Sequence, residues 1–196
     1  MDFRVALDPP WLVELVSLPE SDAFKAAAGS NGVLLRTDAD DPKRSMEGET
    51  LKAQERIGAK VFERKRGPIK VPEPDGSIHM VMVDARGGGD GHGDAADWCQ
   101  LAHGPHGLDP EYVMCWSDPK TGVRMPIRGL FERECPLAAA QTLQARLHVI
   151  GFVCERTFAE KEISARTFYR CNPWLLDEAA ANDIMSRWPL RIATSG

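Results

Sequence analysis

A cluster of acidic side chains follows an apolar segment in the middle of the chain. Residues 78–83 are apolar apart from one histidine, and Asp84 comes directly after them. A glycine-rich stretch follows, and the region carries four aspartates within fourteen residues: Asp84, Asp90, Asp94 and Asp97. Because Mg²⁺ and Mn²⁺ prefer carboxylate oxygens as ligands, this cluster predicts a divalent-metal site. The alternative is a solvated glycine loop in which Asp94 caps the next helix.

Basic side chains near this cluster are candidates for contact with phosphate. Arg86 lies two residues after Asp84, where its guanidinium could bind a phosphate oxygen. A basic run earlier in the chain predicts a nucleic-acid contact, and its members are Arg64, Lys65, Arg66 and Lys70. Such runs are also typical of solvated surface, and this alternative stays open.

The elements that must position these residues alternate between helices and strands. Apolar spacing and capping residues predict helices over 11–16, 21–28, 46–57, 94–102, 136–147 and 173–188. Short apolar runs bounded by turn residues predict strands over 33–35, 60–62, 77–84, 127–131, 149–154 and 164–169. This order predicts an α/β or α+β fold with a mixed β-sheet flanked by helices.

The length of 196 residues is typical of one domain. We expect a single domain over residues 1–196. It would have an N-terminal helical segment over 1–45, an α/β core over 46–155, and a C-terminal hairpin and helix over 156–196.

The order of acids around Asp84 resembles that of the PD-(D/E)XK nuclease-like superfamily, over roughly residues 46–155. The resemblance implies an αβββαβ core like that of restriction endonucleases and a metal-dependent nuclease activity. It implies catalytic roles for a helix acid, two strand acids, a basic residue and a helix glutamine, which are matched here by Glu49 or Glu55, Asp75, Asp84, Arg86 and Gln100. The chain departs from the family pattern at Arg86, which replaces the lysine and cannot accept a proton.

Composition excludes several classes of protein. The formal net charge of −5 argues against nucleic-acid binding through bulk positive charge, although a local basic patch remains compatible with it. There is no run of eighteen apolar residues, so we expect no membrane span. The five cysteines are odd in number and widely spaced, which favours reduced thiols and a cytoplasmic location over a disulfide framework.

Two functions from different classes follow from these patterns. The first is a Mg²⁺- or Mn²⁺-dependent phosphodiesterase acting on nucleic acid. The second is a non-catalytic interaction or structural module of a bacterial or phage assembly, with an inactive nuclease-like fold and a protein partner. In that case the irregular segment over 104–125, with Tyr112 and Trp116, would be the binding surface. A zinc site at Cys99 and His103 is less favoured, because the spacing matches no zinc finger.

Overall fold

A mixed five-stranded sheet forms the centre of the molecule. The computed structural model describes residues 2–18, 46–63, 67–85, 95–118, 120–155 and 165–188. The sheet has the strand order β1-β2-β3-β6-β7, and its strands are β1 (Phe3–Val5), β2 (Trp11–Ser17), β3 (Ile78–Asp84), β6 (Val149–Glu155) and β7 (Ala165–Cys171). The three central strands, β2, β3 and β6, are parallel, and each outer strand pairs antiparallel to its neighbour. A separate hairpin pairs β4 (Cys115–Ser117) with β5 (Arg124–Pro126).

Helices cover both faces of this sheet. Within the described residues there are four α-helices, α1 (Met46–Ala59), α2 (Ala95–His103), α3 (Ala140–Arg146) and α4 (Glu178–Arg187), and a short 3-10 helix at Pro110–Tyr112. One apolar core contains residues of α1, α2 and α3 together with Val81 and Val83 of β3. The other contains Ile184 of α4 together with Met80 and Met82. Because side chains alternate along a strand, β3 supplies both cores and is buried on both faces.

The predicted fold class is confirmed: the sheet is mixed, helices flank it, and the molecule is of the α+β type. Most predicted elements from residue 46 onward are also present. The helix predicted over 46–57 is α1, and the strand predicted over 77–84 is β3. The predictions at 21–28 and 33–35 lie outside the described residues.

The helix predicted over 11–16 is wrong, because these residues form β2. The strand pairs with β3 along its whole length, from Trp11 opposite Ile78 to Ser17 opposite Asp84. As an inner strand it carries apolar side chains on both faces, with Glu14 as the exception, and such a mostly apolar run cannot be distinguished from a helix by periodicity. The described part of the N-terminal segment therefore adds two strands to the central sheet, one of them in place of the helix predicted over 11–16.

Two further strand predictions are wrong. Residues 127–131 form a buried turn in which the N–H groups of Leu130 and Phe131 donate to the carbonyls of Leu101 and Ala102, at 3.0 and 2.8 Å. These bonds satisfy carbonyl groups at the end of α2, which a helix leaves without internal partners. Residues 60–62 contribute one isolated bridge, between Phe62 and Ile69.

The element order over 46–155 differs from αβββαβ. The described residues in this range give a helix, a strand, a helix, a hairpin, a helix and a strand. Between α1 and α2 they contain one strand of the sheet, β3, where the family core has three. The two strands of this range that enter the sheet, β3 and β6, are parallel neighbours.

Candidate functional site

Asp84 lies at the carboxyl end of the middle strand of the parallel group. Asp84 lies opposite Ser17 in the pairing of β3 with β2, and opposite Val153 in the pairing of β3 with β6. The Leu18 N–H donates to the Asp84 carbonyl at 2.9 Å, and the Ala85 N–H donates to the Val153 carbonyl at 2.9 Å. The backbone at Asp84 is therefore held from both sides. In open sheets of this kind, ligands bind outside the carboxyl ends of parallel strands.

The described residues cover the sheet face that carries Asp84 only incompletely at this end. Strand alternation places Asp84 on the same face as Met82, which is the face where α4 packs. The described part of α4 contacts the other end of that face, where Ile184 belongs to the same core as Trp11. Near the carboxyl edge, Leu15 is 43% exposed and Asp84 is partly exposed.

Arg56 reaches the same edge from α1. Its Nη1 donates to the Ser17 carbonyl at 2.9 Å, and Ser17 is the ladder partner of Asp84. Adjacent strands are about 4.8 Å apart, so this contact brings an exposed guanidinium to the strand beside Asp84. Arg56 has no signal in the sequence, because its contact joins residues 39 positions apart and no local pattern indicates it.

Asp75 lies far from Asp84. Asp75 is exposed in the turn before β3, whereas Asp84 is the last residue of that strand. The strand rises about 3.3 Å per residue, so its seven residues separate the two carboxylates by roughly 20 Å. One metal ion cannot bind both, and the pairing implied by the family resemblance is absent from this structure.

The two helix acids, Glu49 and Glu55, both lie on α1. Glu49 in the first turn forms an ion pair with Lys52, with 2.6 Å between Oε1 and Nζ, while Glu55 is exposed. The residues of α1 that reach the apolar core, such as Ile57, pack on the sheet face opposite Asp84. A site that combined Asp84 with a helix acid would therefore have to form across the carboxyl edge of the sheet.

The remaining predicted metal ligands follow Asp84 along the chain. Asp97 lies in the first turn of α2, which packs through Trp98 and Leu101 on the same face as α1. Arg86, Asp90 and Asp94 lie outside the described residues. Asp84 and Asp97 therefore flank the loop that the sequence predicts as metal-binding, and strand alternation directs the Asp84 side chain away from the face that carries α2.

Gln100 has a structural position. The side chain is fully buried, and its Nε2 donates to the carbonyls of Met114 and Ile127 at 2.7 and 3.3 Å. Its Oε1 accepts a hydrogen bond from the Met114 N–H at 2.7 Å. The amide thus attaches α2 to the segments that flank the hairpin, and both of its ends are used in these backbone contacts. The catalytic role of Gln100 stays a prediction.

Lys70 is paired with a buried carboxylate. Its Nζ lies 2.6 Å from Oε2 of Glu14, a residue that is only 1% exposed. Burial lowers the Lys70 pKa, but the hydrogen bond to Glu14 and the charges of Glu14 and Asp2 outweigh it, so the pKa lies above its ordinary value. The Lys70 ammonium therefore stabilises the Glu14 carboxylate and is not free to bind phosphate. The rest of the predicted basic run, Arg64, Lys65 and Arg66, lies outside the described residues.

The donor chemistry of the acidic cluster fits Mg²⁺ or Mn²⁺, since all four predicted ligands are carboxylates. The described residues do not complete such a site, because they contain no group of three or more histidine, cysteine, aspartate or glutamate side chains that could hold a metal ion. The same finding applies to zinc at Cys99 and His103. His103 packs beside the Phe131 ring, and burial, with the Arg170 charge, lowers its pKa to about 4.

Comparison of the chain with protein-family models, with curated proteins and with solved structures finds no match. Within the described part of the chain, none of the helices is both long enough and apolar enough to cross a membrane.

Proposed function

We propose that this protein is a metal-dependent phosphodiesterase acting on nucleic acid, with its site at the carboxyl edge of β2, β3 and β6. The observation that supports this most is the placement of Asp84, a partly exposed carboxylate on a backbone that both neighbouring parallel strands hold. A catalytic metal site needs coordinating side chains whose positions are fixed before the metal and the substrate bind. A carboxylate at the end of a well-held strand meets this need.

The residues around this edge have distinct roles in the proposal. Asp84 would supply the first carboxylate, and Asp90 and Asp94, which follow it along the chain and lie outside the described residues, would supply further oxygen ligands. A bound Mg²⁺ or Mn²⁺ would lower the pKa of a coordinated water and neutralise charge on the phosphate. The Arg56 guanidinium, which the Ser17 carbonyl holds at this edge, contacts a phosphate oxygen. Arg86 would add a second such contact.

The proposal is tested by cleavage of plasmid DNA, single-stranded DNA and RNA with Mg²⁺ or Mn²⁺. We expect Asp84→Asn to lower the rate at least a hundredfold, because the amide keeps the shape of the side chain and loses its charge. The matched control is Asp75→Asn, the same change at the opposite end of β3, and it should leave the rate within about twofold.

Arg56→Met adds a second comparison in the same assay. It should weaken the binding of nucleic acid and reduce its salt dependence, since it removes one cation from the edge. Absence of metal-dependent cleavage by the wild-type protein, or equal rates for wild type and Asp84→Asn, would overturn the proposed function.

A second candidate function is the non-catalytic interaction module, and exposed apolar side chains favour it. Tyr112 is 64% exposed on the 3-10 helix, while Val123 and Met125 on or beside β5 are 54% and 39% exposed. Val123 and Met125 are two positions apart at the hairpin, and exposed apolar groups that lie near one another are typical of protein–protein contact surfaces. A folded protein that cleaves nothing and whose melting temperature no divalent metal changes would favour this second function.

The predicted cytoplasmic location forms part of the proposal. Its support is the cysteine chemistry: the described thiols are free, and they are Cys99, Cys115, Cys135 and Cys171. Burial raises the pKa values of the Cys135 and Cys171 thiols, so these two are poorly reactive at neutral pH.

A further inference from the structure

A serine and a buried histidine are hydrogen-bonded at the opposite end of β3 from Asp84. Ser77 Oγ lies 2.8 Å from Nε2 of His79, and the His79 side chain is fully buried. The other ring nitrogen, Nδ1, lies 2.9 Å from the backbone carbonyl oxygen of Arg146, at the end of α3. Ser77 itself is partly exposed, so solvent reaches the residue that the histidine contacts.

These contacts determine the direction of each hydrogen bond. A carbonyl oxygen only accepts, so the proton of the neutral His79 ring lies on Nδ1 and is donated to Arg146. Nε2 then carries the lone pair and accepts from the Ser77 hydroxyl. The serine O–H therefore points at a base whose ring is held by a third group. This is the hydrogen-bond order of an activated serine nucleophile.

The surroundings keep the histidine neutral. Burial lowers the His79 pKa; the hydrogen bond to Arg146 raises it, and the Arg146 charge lowers it. The Arg146 guanidinium is itself bound to the Val71 carbonyl and to Glu73. The backbone N–H of His79 donates to Nδ1 of the His148 ring at 3.0 Å. Because this nitrogen accepts a hydrogen bond it carries no proton, so the His148 ring is also neutral.

Backbone donors adjoin the serine. Gly76 has a φ of +61°, and the residue and its neighbours form an exposed turn. Among the described residues, the N–H groups of Gly76 and Ser77 donate to no protein atom. These two N–H groups therefore lie in the same turn as Ser77 with no partner among the described residues, and such donors can stabilise an oxygen that develops negative charge.

We propose that Ser77 and His79 form a second reactive site, in which Ser77 is acylated by small esters and His79 is the general base. The Ser77 oxygen attacks the acyl carbon while its proton moves to His79 Nε2. The same proton then passes to the departing alcohol oxygen as the ester bond breaks. Water hydrolyses the acyl-serine by the same two proton transfers and restores the free serine and the neutral histidine. This activity is independent of the proposed phosphodiesterase site, which lies about 20 Å away along β3.

The test uses a fluorophosphonate probe with mass spectrometry of the labelled peptides, and p-nitrophenyl acetate as a small ester. Attack by Ser77 expels fluoride from the probe and leaves a stable phosphonyl-serine. We expect the intact wild-type protein to be labelled at Ser77 with a stoichiometry near one. Ser77→Ala should lower both labelling and ester turnover at least tenfold in a protein that still folds, although the loss of the hydroxyl leaves His79 Nε2 without its partner and lowers the melting temperature.

Three controls separate a reactive site from a serine that only satisfies a buried histidine. Ser117→Ala removes an exposed strand serine and should behave as wild type. Protein unfolded in urea should lose labelling, because reactivity depends on the folded contact between Ser77 and His79. Asp84→Asn should be labelled normally even if it loses phosphodiesterase activity. An unlabelled Ser77 in folded protein, or equal labelling of Ser77 and Ser117, would overturn the proposal.

Discussion

Two buried histidines, His79 in β3 and His148 directly before β6, connect these neighbouring strands by hydrogen bonds to the His79 backbone. His148 is 7% exposed, and its Nδ1 accepts the hydrogen bond from the His79 N–H. Their rings meet edge to face, with 5.5 Å between centroids. Burial is the main cause that lowers the His148 pKa from 6.5 to about 4, and repulsion from the His79 ring adds to it once both rings are protonated. The folded protein therefore keeps this ring neutral over a pH range in which the unfolded chain protonates it.

This residue makes stability depend on pH in a defined direction. Between about pH 6.5 and 4 the unfolded chain binds the extra proton, so the free energy of unfolding falls as the pH falls through this window. One pKa unit corresponds to about 1.4 kcal/mol, which gives a loss on the order of 3 kcal/mol from His148 over the whole range. His148→Asn keeps an oxygen that can accept from the His79 N–H but does not titrate, so its stability should fall less steeply.

Urea unfolding at several values between pH 7 and pH 4.5 measures this difference. The control is His106→Asn, which makes the same change at an exposed position and should keep the wild-type slope. Equal slopes for wild type and His148→Asn would show that His148 does not carry the acid sensitivity.

At the scale of elements, the turn over 127–131 packs against the end of α2 through a glycine. A Cβ atom added to Gly129 would lie 2.6 Å from the His103 nitrogen and closer still to the Gly104 nitrogen. Both are backbone atoms and cannot rotate away. Gly104 adopts a φ of +78° directly after α2, and its N–H donates to the Gln100 carbonyl at 2.8 Å, which is a common way for helices to end.

We therefore expect Gly129→Ala to separate the turn from α2 and to lower the free energy of unfolding by about 3 kcal/mol or more. The matched control is Gly107→Ala, at a glycine with a φ of +80° and no atom within 4 Å of the added Cβ. Gly107→Ala should lower the free energy of unfolding by about 1 kcal/mol, from backbone strain alone. Chemical denaturation of both variants measures the two values, and similar losses would contradict the close packing at Gly129.

At the scale of the whole molecule, metal binding should be visible as a change in thermal stability. If Asp84 and the following aspartates bind Mg²⁺ or Mn²⁺, the folded state gains about 2.7 kcal/mol at a hundredfold excess of metal over Kd. For a protein of this size that raises the melting temperature by roughly 5–10 °C. Thermal melts with EDTA, Mg²⁺, Mn²⁺ and Ca²⁺ measure the shift, and Asp84→Asn should reduce it.

Identical midpoints in all four solutions would contradict a metal site and leave the glycine-rich stretch as a solvated turn. Because this measurement does not need a substrate, it separates failure to bind metal from the choice of a wrong nucleic acid in the cleavage assay.

The sequence by itself determined most elements from residue 46 onward and the mixed sheet that they imply. In β3, one apolar run bounded by Gly76 and Asp84 indicates a buried strand, and the apolar spacing around Leu143 indicates α3. These patterns are local, because the residues that share a core face recur within one helix turn or one strand pleat. Asp84 at the end of its strand was predictable for the same reason.

The tertiary structure alone decided the features that depend on residues distant along the chain. β2 is a strand because it lies between β1 and β3, and Glu14 within it is buried because Lys70, 56 positions away, pairs with it. The His79 ring is held by the Arg146 carbonyl, 67 positions away. Such contacts produce no repeating pattern in the sequence. The partner of a buried polar group is a carbonyl or an ammonium on another element, and the residues next to the buried group do not reveal which one it is.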